Sequence, residues 1–381
     1  MITVGIDASR NRSGGAKAHL IGILTEVEPL KLGIREVHVW AFKSLLDLIP
    51  DRPWLVKHNS NKLEQSLPRQ LLWQATRLAG EVTTAGCDIL FTTDASTFCR
   101  FKPMVVLSQD MISYEPGVMK NLGYGKTRFR ALSILVLQNL AFRHADGVIF
   151  LTRYAGKLIQ QSCGILSRVA YIPHGIGTDF KRAKPTYSWP KNGERAFQCL
   201  YVSPVLEFKH QWVVVRGIEI LRKRGYDIIL SLVGGGSGKS QRLLERQIRL
   251  SDPRGEFVQQ LGLISHKELP ALQASADIFL FASSCENMPI TLLEAMSVGL
   301  PIASSDRGPM PEVLGDGGIY FNPEEDKSIA DSVERIIMEP TLRSSIAKRA
   351  KSLSGQYSWS RCANETWAFI ADTYSYVANA H

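Results

Sequence analysis

The sequence predicts an α/β protein built from two doubly wound domains, each a parallel sheet covered by helices. Three observations carry that expectation. Short apolar runs alternate with longer helical patterns through most of the chain, as right-handed βαβ units require. The runs are apolar throughout, as strands buried on both faces are. The length of 381 residues suits two domains and exceeds one average domain.

N-terminal strands are read in ITVGID, EVHVWA, DILFTT, MVVLSQ, GVIFLT and VAYIP. C-terminal strands are read in QCLYVS, IILSLVG, FVQQLG, IFLFAS, PIASS and GIYF. Between the two sets lies KRAKPTYSWPKNGER, rich in Pro, Lys and polar residues and without periodicity. It reads as a linker. The expected organisation is a first domain over 1–180, a linker over 181–195, a second domain over 196–358 and a closing segment over 359–381 with helical spacing. That last helix could pack back on the first domain. Ligands of such sheets bind beyond the carboxyl ends of the strands, and two such domains would face each other across a central cleft.

Apolar residues make up 45% of the chain and charged residues 21%, which excludes bulk disorder. The net charge of +9 is uneven: residues 1–180 hold 21 Lys and Arg against 14 Asp and Glu, the remainder 24 against 22. The basic half suits an anionic partner (a phosphate-bearing substrate, a membrane or a nucleic acid) or is simply a soluble surface. No nucleic-acid motif accompanies the charge, so no nucleic-acid partner is expected. The six cysteines show neither CxxC nor zinc spacing, which suits reduced thiols in a cytoplasmic protein. The opening MITVGIDASR reads as a strand rather than an apolar signal core. No apolar run reaches the roughly 18 residues of a membrane span.

The strongest motif is FLFASSCENMPITLLEAMSVGLPIASSDRGPMPEV. A buried strand ends near Ser283, a polar loop follows, and a helix begins near Pro289. Glu286 sits in the loop and Glu294 on the helix. The N–H groups of Met288, Ile290 and Thr291 would point out of the helix start, where unpaired donors and partial positive charge suit a diphosphate. Carboxylates accept hydrogen bonds from sugar hydroxyls. Two carboxylates around an anion-binding helix start therefore match the layout of a nucleotide sugar.

ENMPITLLEAM resembles the E-x7-E motif of family 4 retaining glycosyltransferases of the GT-B fold, and GLPIASSDRGPMPEVLGDGGIYFNPE is similar to that family's continuation. HGIGTDF, FKHQW and CENMP resemble bacterial O-antigen and other surface-polysaccharide transferases. The resemblance spans nearly the whole chain. It implies transfer of a sugar from a nucleoside-diphosphate sugar to a saccharide or lipid-linked hydroxyl, in polysaccharide, lipopolysaccharide or glycolipid synthesis, without metal or other cofactor. The absence of Asp-x-Asp agrees with a metal-free site.

The resemblance also implies roles. Glu294 holds the nucleotide ribose, and Glu286 orients the donor sugar near its reacting carbon. Asn287, Met288, Pro289, Ile290, Thr291 and Leu263 complete the donor set. In YVSPVLEFKHQW the family has an Arg and a Lys on the diphosphate; this chain keeps Lys209 and has Ser203-Pro204 in place of the Arg. Lys209 then carries the leaving-group charge alone or shares it with a cation elsewhere. LVGGG is similar to a family turn that brings Gly234 and Gly235 to the nucleotide. The GIDASRNRSGG turn resembles the glycine-rich loop that closes over donor phosphates and acceptor, with Gly15 on the donor and Gly14 on the acceptor. Arg10, Arg12 and Lys17 make it basic. Gln109-Asp110 replace the family's His-Asp or His-Asn, so Gln109 cannot act as a base. Asp110 is left to bind the acceptor or help its proton depart, or to cap a turn. The expected catalytic set is Glu286, Lys209 and Asp110. His174, in IPHG, is expected to be structural.

Other signals are weaker. SLVGGGSGKS has three residues between Gly234 and Gly238 where a P-loop needs four. The first turn lacks dinucleotide spacing, which argues against NAD. Lys120, Lys126, Arg128 and Arg130 precede an apolar helix. That helix either docks on an anionic membrane at the inner face of the plasma membrane, receives a lipid-diphosphate acceptor, or is core. The other functions left open are a sugar-nucleotide epimerase or hydrolase of the same fold, and a non-catalytic nucleotide-sugar binder.

Overall fold

The computed structural model describes residues 1–12, 14–26, 28–118, 125–191 and 194–380, and the chain forms two compact units. One comprises Met1–Gly175 and Tyr357–His381, the other Ile176–Gln356. Lys120 and the side chain of Lys126 lie outside the described residues.

Among the described residues, the first unit carries a seven-stranded parallel sheet in the order β3-β2-β1-β4-β5-β6-β7. Its strands are β1 (Ile2–Asp7), β2 (Ile34–Trp40), β3 (Leu55–His58), β4 (Ile89–Thr92), β5 (Met104–Leu107), β6 (Gly147–Phe150) and β7 (Val169–Tyr171). Its helices are α1 (Gly14–Thr25), α2 (Lys43–Leu46), α3 (Leu67–Thr76), α4 (Leu78–Thr84), α5 (Lys126–His144) and α6 (Arg153–Cys163). β1, β4, β5 and β6 are buried along nearly their whole length, which is why their sequences are continuously apolar. The edge strand β3 was not foreseen: LVKH is half-buried, and Lys57 and His58 break its apolar run.

The second unit carries a six-stranded parallel sheet, again among the described residues, in the order β10-β9-β8-β11-β12-β13. The strands are β8 (Phe197–Val202), β9 (Ile228–Val233), β10 (Val258–Gly262), β11 (Ile278–Phe281), β12 (Ile302–Ser305) and β13 (Ile319–Phe321). The helices are α7 (Thr178–Arg182), α8 (Gln211–Lys223), α9 (Gly238–Ser251), α10 (Leu269–Ser275), α11 (Ile290–Val298), α12 (Met310–Leu314), α13 (Asp326–Met338) and α14 (Pro340–Ser354). In each sheet the winding direction reverses once, between β1 and β4 and between β8 and β11. Such switch points open crevices at the strand ends.

The closing helix α15 (Trp359–Asn379) belongs to the first unit and packs on α1. Ser358 Oγ caps it, accepting from the Arg361 N–H at 3.1 Å. Trp367 is fully buried, and its Nε1–H donates to the Ile23 carbonyl at 2.9 Å. Beside this helix His19 and His174 meet through their Nδ1 atoms at 3.2 Å. Burial pushes His19 down to about 3 and His174 well below the ordinary histidine value, so both are neutral.

Gly175 follows at a close approach: a Cβ there would lie 2.1 Å from the Trp359 backbone nitrogen. A backbone atom cannot step aside as a side chain can. Gly175→Ala should therefore lower stability by about 1–3 kcal/mol or more, read as a shift in the urea unfolding midpoint.

Candidate functional site

The second unit's switch point assembles the motif residues. β8 runs into a short turn, Glu207–Lys209, and β11 into the loop that holds Glu286. Because β8 and β11 are neighbours, the two loops meet. The Ser284 N–H donates to the Phe208 carbonyl at 2.8 Å. Lys209 Nζ donates to Glu286 Oε1 in a nearly buried ion pair. Tyr201 OH donates to the Lys209 carbonyl at 2.8 Å, fixing the backbone that carries the ammonium. The rings of Phe208 and Phe281 lie 5.4 and 5.6 Å from Nζ. His210 is held in the left-handed region at φ 52°, and its Nε2 lies 2.8 Å from Ser284 Oγ. The sequence signalled neither His210 nor the aromatic walls.

α11 starts at Ile290, with Pro289 as its cap residue. Its first N–H groups have no carbonyl of their own helix to bond. Glu294, one turn in, is buried. Its Oε1 bonds His266 Nε2 at 2.9 Å, while its Oε2 is buried without a partner among the described residues. Burial is the main influence on Glu294 and raises its pKa, with His266 pulling the other way. The same bond raises the pKa of His266. His266 was not anticipated; it lies 28 residues upstream of Glu294, beyond any local pattern.

Ser203, Gly234, Gly235 and Leu263 gather at the neighbouring ends of β8, β9 and β10. The Gly234 N–H donates to the Gly262 carbonyl at 2.7 Å, and the Ser203 N–H donates to the Val233 carbonyl at 2.9 Å. At Gly234, φ is +122° and a Cβ would lie 2.2 Å from the Ser203 oxygen, so only glycine fits. Ser203 Oγ accepts from Gln211 Nε2 at 2.8 Å and points no charge into the site. Leu263 is 87% exposed and borders Gly235. On the other side of the switch point, in the loop after β12, stands Arg307, which lies in the motif text but was given no role there; it pairs with Asp306 and donates to Asn322. It acts electrostatically on His210.

In the first unit the predicted residues lie at the ends of β1 and β5. Gly14 and Gly15 open α1. Arg12 is drawn away from the loop: its guanidinium sits 3.6 Å over the Phe42 ring and donates to the Leu63 carbonyl at 2.9 Å. Arg10 Nε lies 3.9 Å from Asp94. Asp110 accepts from the Ile112 N–H at 3.0 Å, the turn-capping bond of a strand-end Asp. Burial raises its pKa, and Asp94 adds to the rise. Gln109 is next to it, with a buried Nε2 that lacks a partner among the described residues.

Residues 188–353 match the family model described as glycosyl transferases group 1. These residues form a group 1 glycosyltransferase domain. The chain is 29% identical to O-antigen chain mannosyltransferase B of Escherichia coli over 37% of its own length and 36% of that protein's. It is 28% identical to a GDP-mannose-dependent alpha-(1-6)-phosphatidylinositol monomannoside mannosyltransferase of Mycolicibacterium smegmatis, over 51% of its length and 54% of that protein's. It thus spans about a third to a half of these relatives. Over the full length of both chains it shares the fold of sucrose-phosphate synthase from Thermosynechococcus elongatus, at a TM-score of 0.78 and 16% identity. The fold is GT-B.

The bond to His266 is the one Oε1 partner of a buried carboxylate. His266→Ala should cost about 1–3 kcal/mol by leaving that acceptor unsatisfied. The raised histidine pKa adds stability that is complete below the unfolded value of about 6.5 and is lost as pH rises through the folded value. Urea unfolding of wild type and variant should therefore show a gap that narrows with rising pH.

Proposed function

We propose that this chain is a retaining glycosyltransferase that takes a sugar from a nucleoside-diphosphate sugar and places it on a hydroxyl of a saccharide or lipid-linked saccharide. The observation that carries this reading is the Lys209–Glu286 pair at the β8–β11 switch point, beside the start of α11. Lys209 and the helix start offer positive charge where a departing diphosphate becomes more negative. Arg307 is the cation suited to share that load in place of the Arg that Ser203-Pro204 replace. Asn287, Met288 and Thr291 line the same helix start, and Gly234, Gly235 and Leu263 the nucleotide side. The unpartnered Glu294 Oε2 suits a ribose hydroxyl. Glu286 exchanges its bond from Lys209 for sugar hydroxyls when the diphosphate arrives, and steadies the positive charge that develops at the anomeric carbon.

Retention follows if the acceptor attacks the face from which the diphosphate leaves. In this reading Glu286 orients the sugar and is an organiser rather than a covalent nucleophile. Asp110, with Gln109 and Gly14, receives the acceptor, and the raised pKa of Asp110 fits it to take the hydroxyl proton. No cofactor enters this scheme. The mannosyltransferase names of the two relatives favour bacterial surface-polysaccharide or glycolipid synthesis.

A thermal-shift screen of UDP-, GDP-, ADP- and dTDP-sugars identifies the donor. Labelled donor then distinguishes products: a glycoside of retained configuration is expected, and free sugar or an epimer overturns the reading. Glu286→Ala should lower kcat about 10²–10³-fold while the protein still folds. Lys209→Ala should lower it comparably, and near wild-type turnover in either variant contradicts the assignment.

A further inference from the structure

The outer side of α5 is apolar where a helix surface normally carries charge. Phe129, Leu132, Val136 and Leu140 recur at helical spacing and are 75%, 44%, 58% and 45% exposed. The opposite side is occupied within the unit. Ala131, Ala141 and Phe142 are buried, and Gln138 Nε2 donates to Ser96 Oγ at 3.1 Å. Past the helix's C-terminal end, Ile165 is 96% exposed and shares a shallow cleft with Arg143.

Along this stretch of the sequence the charge has one sign. Between Glu115 and Asp146 stand Lys120, Lys126, Arg128, Arg130 and Arg143, with no Asp or Glu among the intervening residues. Arg130 and Arg143 are exposed. This decides between partners. A second copy laid symmetrically on the stripe would bring the two basic sets together. A bilayer with anionic headgroups would neutralise them.

We propose that α5 lies along an anionic lipid bilayer. Phe129, Leu132, Val136 and Leu140 enter the boundary of the acyl chains, and the arginines reach headgroup phosphates with their stems along the apolar layer. The helix rests on the membrane; among the described residues none is long and apolar enough to cross it. Gln138, on its inner side, lies near enough to Asp110 to pull that carboxyl's pKa down against the effect of burial. The lipid face and the proposed acceptor residue are thus separated by one helix, about 10 Å. A lipid-borne acceptor would reach Asp110 without leaving the membrane surface.

The test uses the full chain and sedimentation with vesicles of phosphatidylcholine, with or without phosphatidylglycerol. Wild type should bind the phosphatidylglycerol vesicles alone and be released by salt. The double variants Phe129→Ser/Val136→Ser and Arg128→Gln/Arg130→Gln should each bind about tenfold more weakly or worse. Thermal unfolding and a monomeric mass should be unchanged; if the serine pair unfolds, the glutamine pair decides. The proposal falls if wild type stays in the supernatant, or if the folded variants bind as well as wild type. It also falls if wild type is a dimer that Phe129→Ser/Val136→Ser dissociates. Binding is read without any sugar transfer, so its failure is separate from failure of the transferase reading.

Discussion

Lys209 and Glu286 are 77 residues apart and meet because β8 and β11 are adjacent at the point where the winding reverses. Taking both charges out of water is expensive, and geometry must offset it. The Tyr201 hydroxyl holds the Lys209 carbonyl, the Ser284 N–H holds the Phe208 carbonyl, and two aromatic rings flank the ammonium. Each group is the other's counter-ion while no ligand is bound. The loops after β8 and β11 are therefore kept in register by the same charges to which the proposed function gives the chemistry.

The first unit solves an analogous problem with a single buried carboxylate. Asp7 ends β1, and burial raises its pKa. Its Oδ1 accepts from the Ser9 N–H and hydroxyl at 3.1 and 2.6 Å, and its Oδ2 accepts from Gln74 Nε2 at 2.5 Å. The Thr93 hydroxyl, after β4, donates to the Asp7 carbonyl at 3.0 Å. Both sides of the β1–β4 switch point are thus tied to one residue, and the loop leading to Gly14 and Gly15 starts from a rigid post. Rigid strand ends with functional loops above them are the common plan of both units.

What the sequence made legible follows from this plan. Most strands of the second unit could be read because burial on both faces makes each a short apolar run; the edge strand β10 (VQQLG) is exposed from Gln259 to Leu261 and does not follow that rule. β3 could not, because an edge strand exposed to water keeps Lys57 and His58. The stretch around Glu286 and Glu294 could be read because a loop and a helix start are local. His266 could not, since it reaches Glu294 through tertiary packing from another strand end. Arg12 was legible as a charge but not as a partner for Phe42, a contact made across the fold.

The return of α15 makes the first unit discontinuous along the chain, with the whole of Ile176–Gln356 inserted before its last helix. A ribosome releases residues in order, and domains fold as their sequence becomes available. The inserted unit is contiguous and can complete its core during synthesis. The first unit cannot, because α15, whose Trp367 bonds Ile23 of α1, is made only after the inserted unit. Until then Leu20 and Ile23 lack their lid. The segment that closes the first core is therefore made only after the whole inserted unit, so a chain cut short before α15 leaves an unfinished, sticky surface on the first unit.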